Sequence, residues 1–219
     1  MMNFLALLGW SLDDRTELMS REELVKNFNL ERISKTSAIF DLKKLDWMNG
    51  VYIRQLSQDE LLERLMPFLE SGLPTSVERP ISLDYVRKIT PLVQERMRTL
   101  VEGVEFYDFF FIDQPDYDAK LLLGKTLDRE RASGALGISL DRLSGLDSFD
   151  SESLEGVLRP LSSELGLKTG DLFGLIRVAT TGRTAAPPLF QTMAVLGRER
   201  CLGRIEEATR RLSRRGPEQ

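Results

Sequence analysis

The chain contains no histidine. That removes the commonest general base at neutral pH, every Ser-His-Asp or Cys-His arrangement, and nearly all zinc sites that need imidazole. A single cysteine, Cys201, rules out an internal disulfide and any cysteine cluster. Beside Leu202 it reads as a small buried side chain. No apolar run approaches the roughly 18 to 20 residues that cross a bilayer. The opening MMNFLALLGW is apolar but short, without a basic leader or a small-residue cleavage site, so a cytoplasmic protein away from membranes is expected. There is no Gly-rich phosphate loop, no His-Glu-x-x-His and no nucleophile elbow. The pairs Asp13-Asp14 and Glu206-Glu207 are adjacent in sequence, and neighbours on a helix do not face each other, so they read as solvated surface. No catalytic residue and no metal-ligand set is expected.

What is present suits a globular protein. The 219 residues are 42% hydrophobic and 29% charged, enough for one large domain or two small ones, and 11 Phe and 7 Met can supply much of the core. Net charge is −4 but uneven. From Lys168 onward ten Lys and Arg stand against five Asp and Glu, a local +5 that leaves −9 for the rest. A basic C-terminal third points weakly to a polyanion, and a solvated basic helix face explains it equally well.

The apolar period is helical nearly throughout. Ser20 to Glu23 and Ser57 to Glu60 have capping-box spacing. Leu61, Leu62, Leu65, Met66 and Leu69 then share one helix face, closed by Gly72 and Pro74. From Val86 to Val101 a long amphipathic stretch is interrupted by Pro91, which predicts a kink or two helices. Phe106, Phe109, Phe110 and Phe111 form an aromatic knot, and the polar turn Asp113 to Asp118 after it separates two helical units. Gly134 to Ser151 is rich in Gly, Ser and Asp and predicts a short helix with loops. Leu154 to Leu165 is a helix closed by Gly166. Another runs from Thr169 to Gly182, one from Pro187-Pro188 to Val195, and a last one from Arg198 to Arg215 before a frayed tail. No strand alternation and no internal repeat occur. The expected architecture is all-α.

Specific words narrow this further. Asn3-Phe-Leu-Ala-Leu-Leu-Gly-Trp-Ser11 is followed by Arg32-Ile-Ser-Lys35 and by Phe40-Asp-Leu-Lys-Lys-Leu-Asp-Trp-Met-Asn-Gly-Val-Tyr-Ile-Arg54. Near the other end stand Arg177-Val-Ala-Thr-Thr-Gly182, Pro188-Leu-Phe190 and Met193-Ala-Val-Leu-Gly-Arg-Glu-Arg200. Over essentially the whole chain, and only loosely between 110 and 155, these words resemble the C-terminal half of bacterial-type glutamyl-tRNA synthetases. In the long word, Leu42, Leu45, Trp47 and Met48 are expected to pack inward while Lys43 and Lys44 stay wet, with a bend at Asn49-Gly50. Ile33 to Ser37 imitates the family's Lys-Met-Ser-Lys-Ser type ATP loop but sits in its downstream Arg-Ile-Ser-Lys word.

The resemblance implies a C-terminal fragment without the Rossmann-type catalytic domain. Residues 1–57 would be the tail of the stem-contact domain, 58–110 a first anticodon-binding helical domain and 111–219 a second. Phe4, Leu7 and Trp10 would be left exposed without the catalytic half. The full enzyme would use ATP and magnesium to attach glutamate to tRNA(Glu); this chain would bind RNA, hold no cofactor of its own and act as a monomer. By resemblance Arg96 contacts the third anticodon base and Arg177 the first, while Ala186, Pro187 and Leu189 enclose the first and middle bases. Ala186 stands where a hydroxyl side chain can occur. An arginine at position 96 favours cytosine over guanine, the base that separates glutamate from glutamine tRNAs. The rival reading is a helical scaffold that has lost RNA binding. A basic patch joining Arg96 to Arg177 would favour RNA binding, and scattered, ion-paired arginines the scaffold.

Overall fold

The computed structural model describes residues 1–34 and 39–213, and the regular elements among them are all helical. Most of the mimic Ile33 to Ser37, and the tail beyond Ser213, lie outside the described residues.

An N-terminal lobe holds α1 (Met2–Leu7) and α2 (Arg21–Asn27). The Ser20 capping box is formed: Ser20 Oγ accepts from the Glu23 N–H at 3.1 Å, and the Glu23 carboxylate accepts from the Ser20 N–H at 2.7 Å. Trp10, Met19 and Leu24 close a small apolar cluster, with Leu7 half-buried against it. Phe4 packs edge-on to Phe40 with ring centroids 5.0 Å apart. Phe4 and Trp10 are therefore buried, contrary to the expected exposure, because the lobe has a core of its own. The apolar side chains left in solvent are instead Val25, Leu30, Ile39 and Leu42.

Helix α3 (Leu42–Gln55), capped by Asp41, runs unbroken through Asn49-Gly50, where a bend was expected. Glycine there serves a close approach: a Cβ on Gly50 would stand 3.3 Å from the Met97 carbonyl oxygen of a passing segment. That side of α3 is the inward one, so Met48, Gly50 and Ile53 are buried. Trp47 and Leu42 are 45% and 64% exposed, which overturns their expected inward packing. Helix α4 (Gln58–Gly72) starts on the second capping box, Ser57 with Glu60, and buries Leu61, Leu62, Leu65 and Leu69 as their spacing predicts.

The amphipathic stretch divides into α5 (Leu83–Val93), a 3-10 turn Gln94–Arg96, and α6 (Leu100–Phe111), which Thr99 caps. Pro91 lies inside α5 rather than at the break. Proline offers no N–H to the Arg87 carbonyl one turn back; Gln58 Nε2 donates to it instead, at 2.6 Å.

After the polar link come α7 (Lys120–Leu123) and α8 (Arg129–Ser144). Helix α8 corrects the expected short helix with loops. Ala132, Ala135, Leu136, Ser139 and Leu143 are buried at helical spacing, and the small members let α12 (Arg198–Ser213) lie along it. Between them in sequence, α9 (Ser151–Glu164), α10 (Thr169–Thr181) and α11 (Leu189–Leu196) are followed by Gly166, Gly182 and Gly197 at positive φ. One apolar core runs through the helices on both sides of the polar link, from Ile53 to Leu212. No helix among the described residues is long and apolar enough to cross a membrane.

Candidate nucleic-acid interface

Arg96 ends the 3-10 turn after α5. Val93 and Met97, on either side of the turn, are fully buried, which turns Glu95 and Arg96 outward. The turn is held against α3. Gln94 Nε2 donates to the carbonyls of Ile53 and Leu56, at 3.0 and 2.9 Å, and Asn49 Nδ2 donates to the Arg98 carbonyl at 2.5 Å. Arg98 is committed to Glu102, 2.8 Å away, and Glu95 lies 3.9 Å from Arg54. The Arg96 guanidinium is exposed and has no hydrogen bond or ion pair among the described residues.

Arg177 lies on α10, half-buried between the buried Ile176 and Val178. Its carbonyl accepts from the hydroxyl of Thr181 at 2.7 Å, so its backbone is occupied within the helix. Its guanidinium, like that of Arg96, has no partner among the described residues. Burial, and then the positive charge of Arg96, push the Arg177 guanidinium below its ordinary value. The positive charge of Arg96 is thus felt at Arg177. Two like charges held together in this way favour an anion or an electron-rich edge as a ligand.

The other expected residues follow α10. Gly182, at φ +74°, turns the chain where a Cβ would meet Pro115 at 2.8 Å. Arg183 is then pinned by the Glu105 carbonyl, by Asp108 at 2.6 Å and by the face of Phe109. Ala186 is half-buried. Pro187 is buried and Leu189 is 5% exposed, inside the core, so both point inward and offer a partner no side-chain surface. Pro188 is exposed beside the half-buried Ala186, and the leading N–H groups of α11 precede the first helical bond, from Thr192 N–H to the Pro188 carbonyl. Helix α11 packs on both α5 and α10.

Several arginines of the basic C-terminal third are tied to the chain's own groups. Arg198 donates to the carbonyls of Ser144 and Leu146, Arg200 to Phe110, and Arg211 stacks on Tyr117 while bonding Glu207 at the i,i+4 spacing. Arg204 is 1% exposed and donates to four carbonyls, those of Phe109, Ile112, Asp113 and Thr180. Burial pushes it down to about 10, which leaves it charged at neutral pH. Net charge hid this role. The signal was available, since Arg204 sits among Cys201, Ile205, Ala208 and Leu212 on one helical stripe. Cys201 is buried as expected, and burial pushes its thiol up to about 12.

Comparison with known proteins gives two family matches. The family described as anticodon binding domain matches residues 60–209, and that described as the catalytic domain of class I tRNA synthetases (E and Q) matches residues 1–47. A glutamate–tRNA ligase of Dehalococcoides mccartyi is 53% identical over 213 residues, covering 97% of this chain and 44% of its own length. One of Roseiflexus castenholzii is 46% identical over 209 residues, covering 95% and 41%. The crystal structure of a glutamate tRNA ligase from Elizabethkingia meningosepticum in complex with its amino acid superposes with a TM-score of 0.81 at 27% identity, covering 95% of this chain and 40% of that one. The chain spans less than half the length of these relatives.

Proposed function

From the premise that this chain belongs to the anticodon-binding domain family, in a form that resembles glutamate–tRNA ligases, we propose that it reads the anticodon of tRNA(Glu). In this reading Arg96 offers donors to the third base and Arg177 to the first. The backbone around Ala186 and the start of α11 form the wall beside the first and middle bases, with Pro187 and Leu189 shaping that wall from inside. Unstacked bases are recognised on their edges by planar, multi-donor groups, which suits arginine. The carrying observation is that the Arg96 and Arg177 guanidiniums have no partner among the described residues, in a chain whose other C-terminal arginines are largely tied to carbonyls and carboxylates.

The longer ligase that the relatives suggest would attach glutamate to the tRNA at the expense of ATP, with magnesium, in the cytoplasm and as a monomer. Residues 1–57 would end its stem-contact domain, 58–110 and 111–219 would be the two anticodon-binding domains, and its catalytic half would cover the apolar side chains left bare on the N-terminal lobe. The residues here do not fit a resident metal: among those described, no three His, Cys, Asp or Glu side chains converge.

The test is binding of the chain to glutamate tRNA, with glutamine tRNA as competitor, over a salt series. Contacts to phosphates alone lose affinity steeply with ionic strength. Preference for glutamate tRNA should survive moderate salt and fall by about tenfold in Arg96→Ala, the worth of one good base contact. Equal, salt-sensitive binding of both RNAs, unchanged in Arg96→Ala, would sink the reading.

A further inference from the structure

We propose that Asn49 and Gln94 are positioning residues that set how sharply Arg96 discriminates between bases, by clamping its turn onto α3; this rests on the base-reading role proposed for Arg96. A single 3-10 turn has poor hydrogen-bond geometry of its own and takes its position from its surroundings. This one has no side-chain cap. Its surroundings hold it on both sides of Arg96. Before it, Gln94 Nε2 donates to the Ile53 and Leu56 carbonyls. After it, Asn49 Nδ2 holds the Arg98 carbonyl, and the Met97 carbonyl rests on Gly50, where even a methyl group would stand only 3.3 Å away. Residues 94, 97 and 98 are thereby fixed to one helix, and only Glu95 and Arg96 project from it.

Discrimination and affinity depend on this clamp differently. Rejecting a wrong base requires donors aligned to within a few tenths of an ångström, because a hydrogen bond weakens steeply with angle and distance. Attraction to the phosphate backbone tolerates much larger displacements. Loosening the clamp should therefore lower selectivity and leave general RNA affinity alone. Helix α3 also begins at Leu42, inside the 1–47 stretch that resembles the synthetase catalytic-domain family, so one rigid element joins that stretch to the reading turn.

The experiment uses the full chain and three short anticodon hairpins, with cytosine, guanine or no base at the third anticodon position. Asn49→Ala combined with Gln94→Ala should lower the cytosine-to-guanine affinity ratio by about fivefold or more, towards that of Arg96→Ala, with abasic-hairpin affinity unchanged within about twofold. Gly50→Ala provides a variant with a better helix former in α3, so its melting temperature should hold while the crowded Met97 carbonyl displaces the turn and the ratio falls. Adding Asn49→Ala to Arg96→Ala should change nothing further, since the two act through one contact. If Arg96→Ala lowers the ratio while the clamp variants keep it, or if they weaken all three hairpins equally, the clamp proposal is wrong. If Arg96→Ala itself leaves the ratio unchanged, the base-reading role fails, and the clamp with it.

Discussion

Arg204 offers the sharpest test of how the C-terminal helix is held. Its guanidinium is buried and has no carboxylate partner among the described residues; four carbonyls at or just past the ends of α6 and α10 accept hydrogen bonds from it, Phe109 at 2.7 Å and Asp113 at 3.0 Å among them. Helix ends expose carbonyls that nothing within the helix can satisfy. Replacing Arg204 by Met keeps most of the apolar stem and removes all the donors. Each stranded buried acceptor costs about 1–3 kcal/mol, and relaxation recovers part, so the sum should resemble the roughly 3–5 kcal/mol of a broken buried charge network. At about 2–4 °C per kcal/mol for a chain of this size, the melting temperature should drop by about 6–20 °C. Arg210→Met is the control. Its ion pairs with Glu206 and Glu207 are at the surface, and its side chain is 58% exposed, so it should cost no more than about 0.5 kcal/mol. Urea titrations followed by far-UV circular dichroism give both numbers, with the m-value showing whether two-state behaviour persists. A loss for Arg204→Met under about 1 kcal/mol, or equal to that of the control, would refute the assignment of these carbonyls to Arg204.

Two more measurements probe the fold. Gly182→Ala must place a methyl 2.8 Å from Pro115 at a positive φ, and should destabilise by about 2 kcal/mol or more, whereas Gly134→Ala, on an open face of α8, should stabilise by about 0.5–1 kcal/mol; thermal melts that rank them the other way would contradict the backbone described. The Arg98 guanidinium beside Glu102 holds that carboxyl below its ordinary 4.5. A depressed carboxyl contributes stability above 4.5 that is lost as pH falls through its folded value, so Glu102→Gln should flatten the acid limb of a pH–stability curve; parallel curves for the two proteins would remove that contribution.

Much of the fold was legible because local chemistry and packing agree. Both capping boxes form where Ser20 and Ser57 stand three residues before a glutamate, and the leucines after Ser57 bury the face that their spacing defines. Two of the misreadings share one cause: small residues have two uses. Gly50 after Asn49 reads as a turn, yet it makes room for the Met97 carbonyl on a straight helix. The Gly, Ser and Asp of the stretch from Gly134 read as loop, yet Ala132, Ala135 and Ser139 are buried on the side of α8 that α12 approaches. Which use applies depends on a segment far away in sequence. The same holds for the site. Composition placed the positive charge in the C-terminal third, and there the arginines mostly turned inward to carbonyls. Arg96 and Arg177 were singled out by resemblance, and that both guanidiniums stay without partners among the described residues appears only once α11 packs on α5 and α10. Pro187 and Leu189 came with the same resemblance, and their side chains belong to the interior.

The inward arginines also determine what the molecule ignores. A cell is full of ribosomal and messenger RNA, and a broadly cationic exterior would be coated by whichever polynucleotide is most abundant. This chain carries a net charge of −4 and keeps many of its C-terminal guanidiniums bonded to its own backbone. Under the proposed RNA-reading role that would mean a low background: bulk polynucleotide would be weakly repelled, and dwell time decided at one small spot. Such a protein searches by rejecting quickly, and its fidelity owes as much to the contacts it withholds as to those it makes.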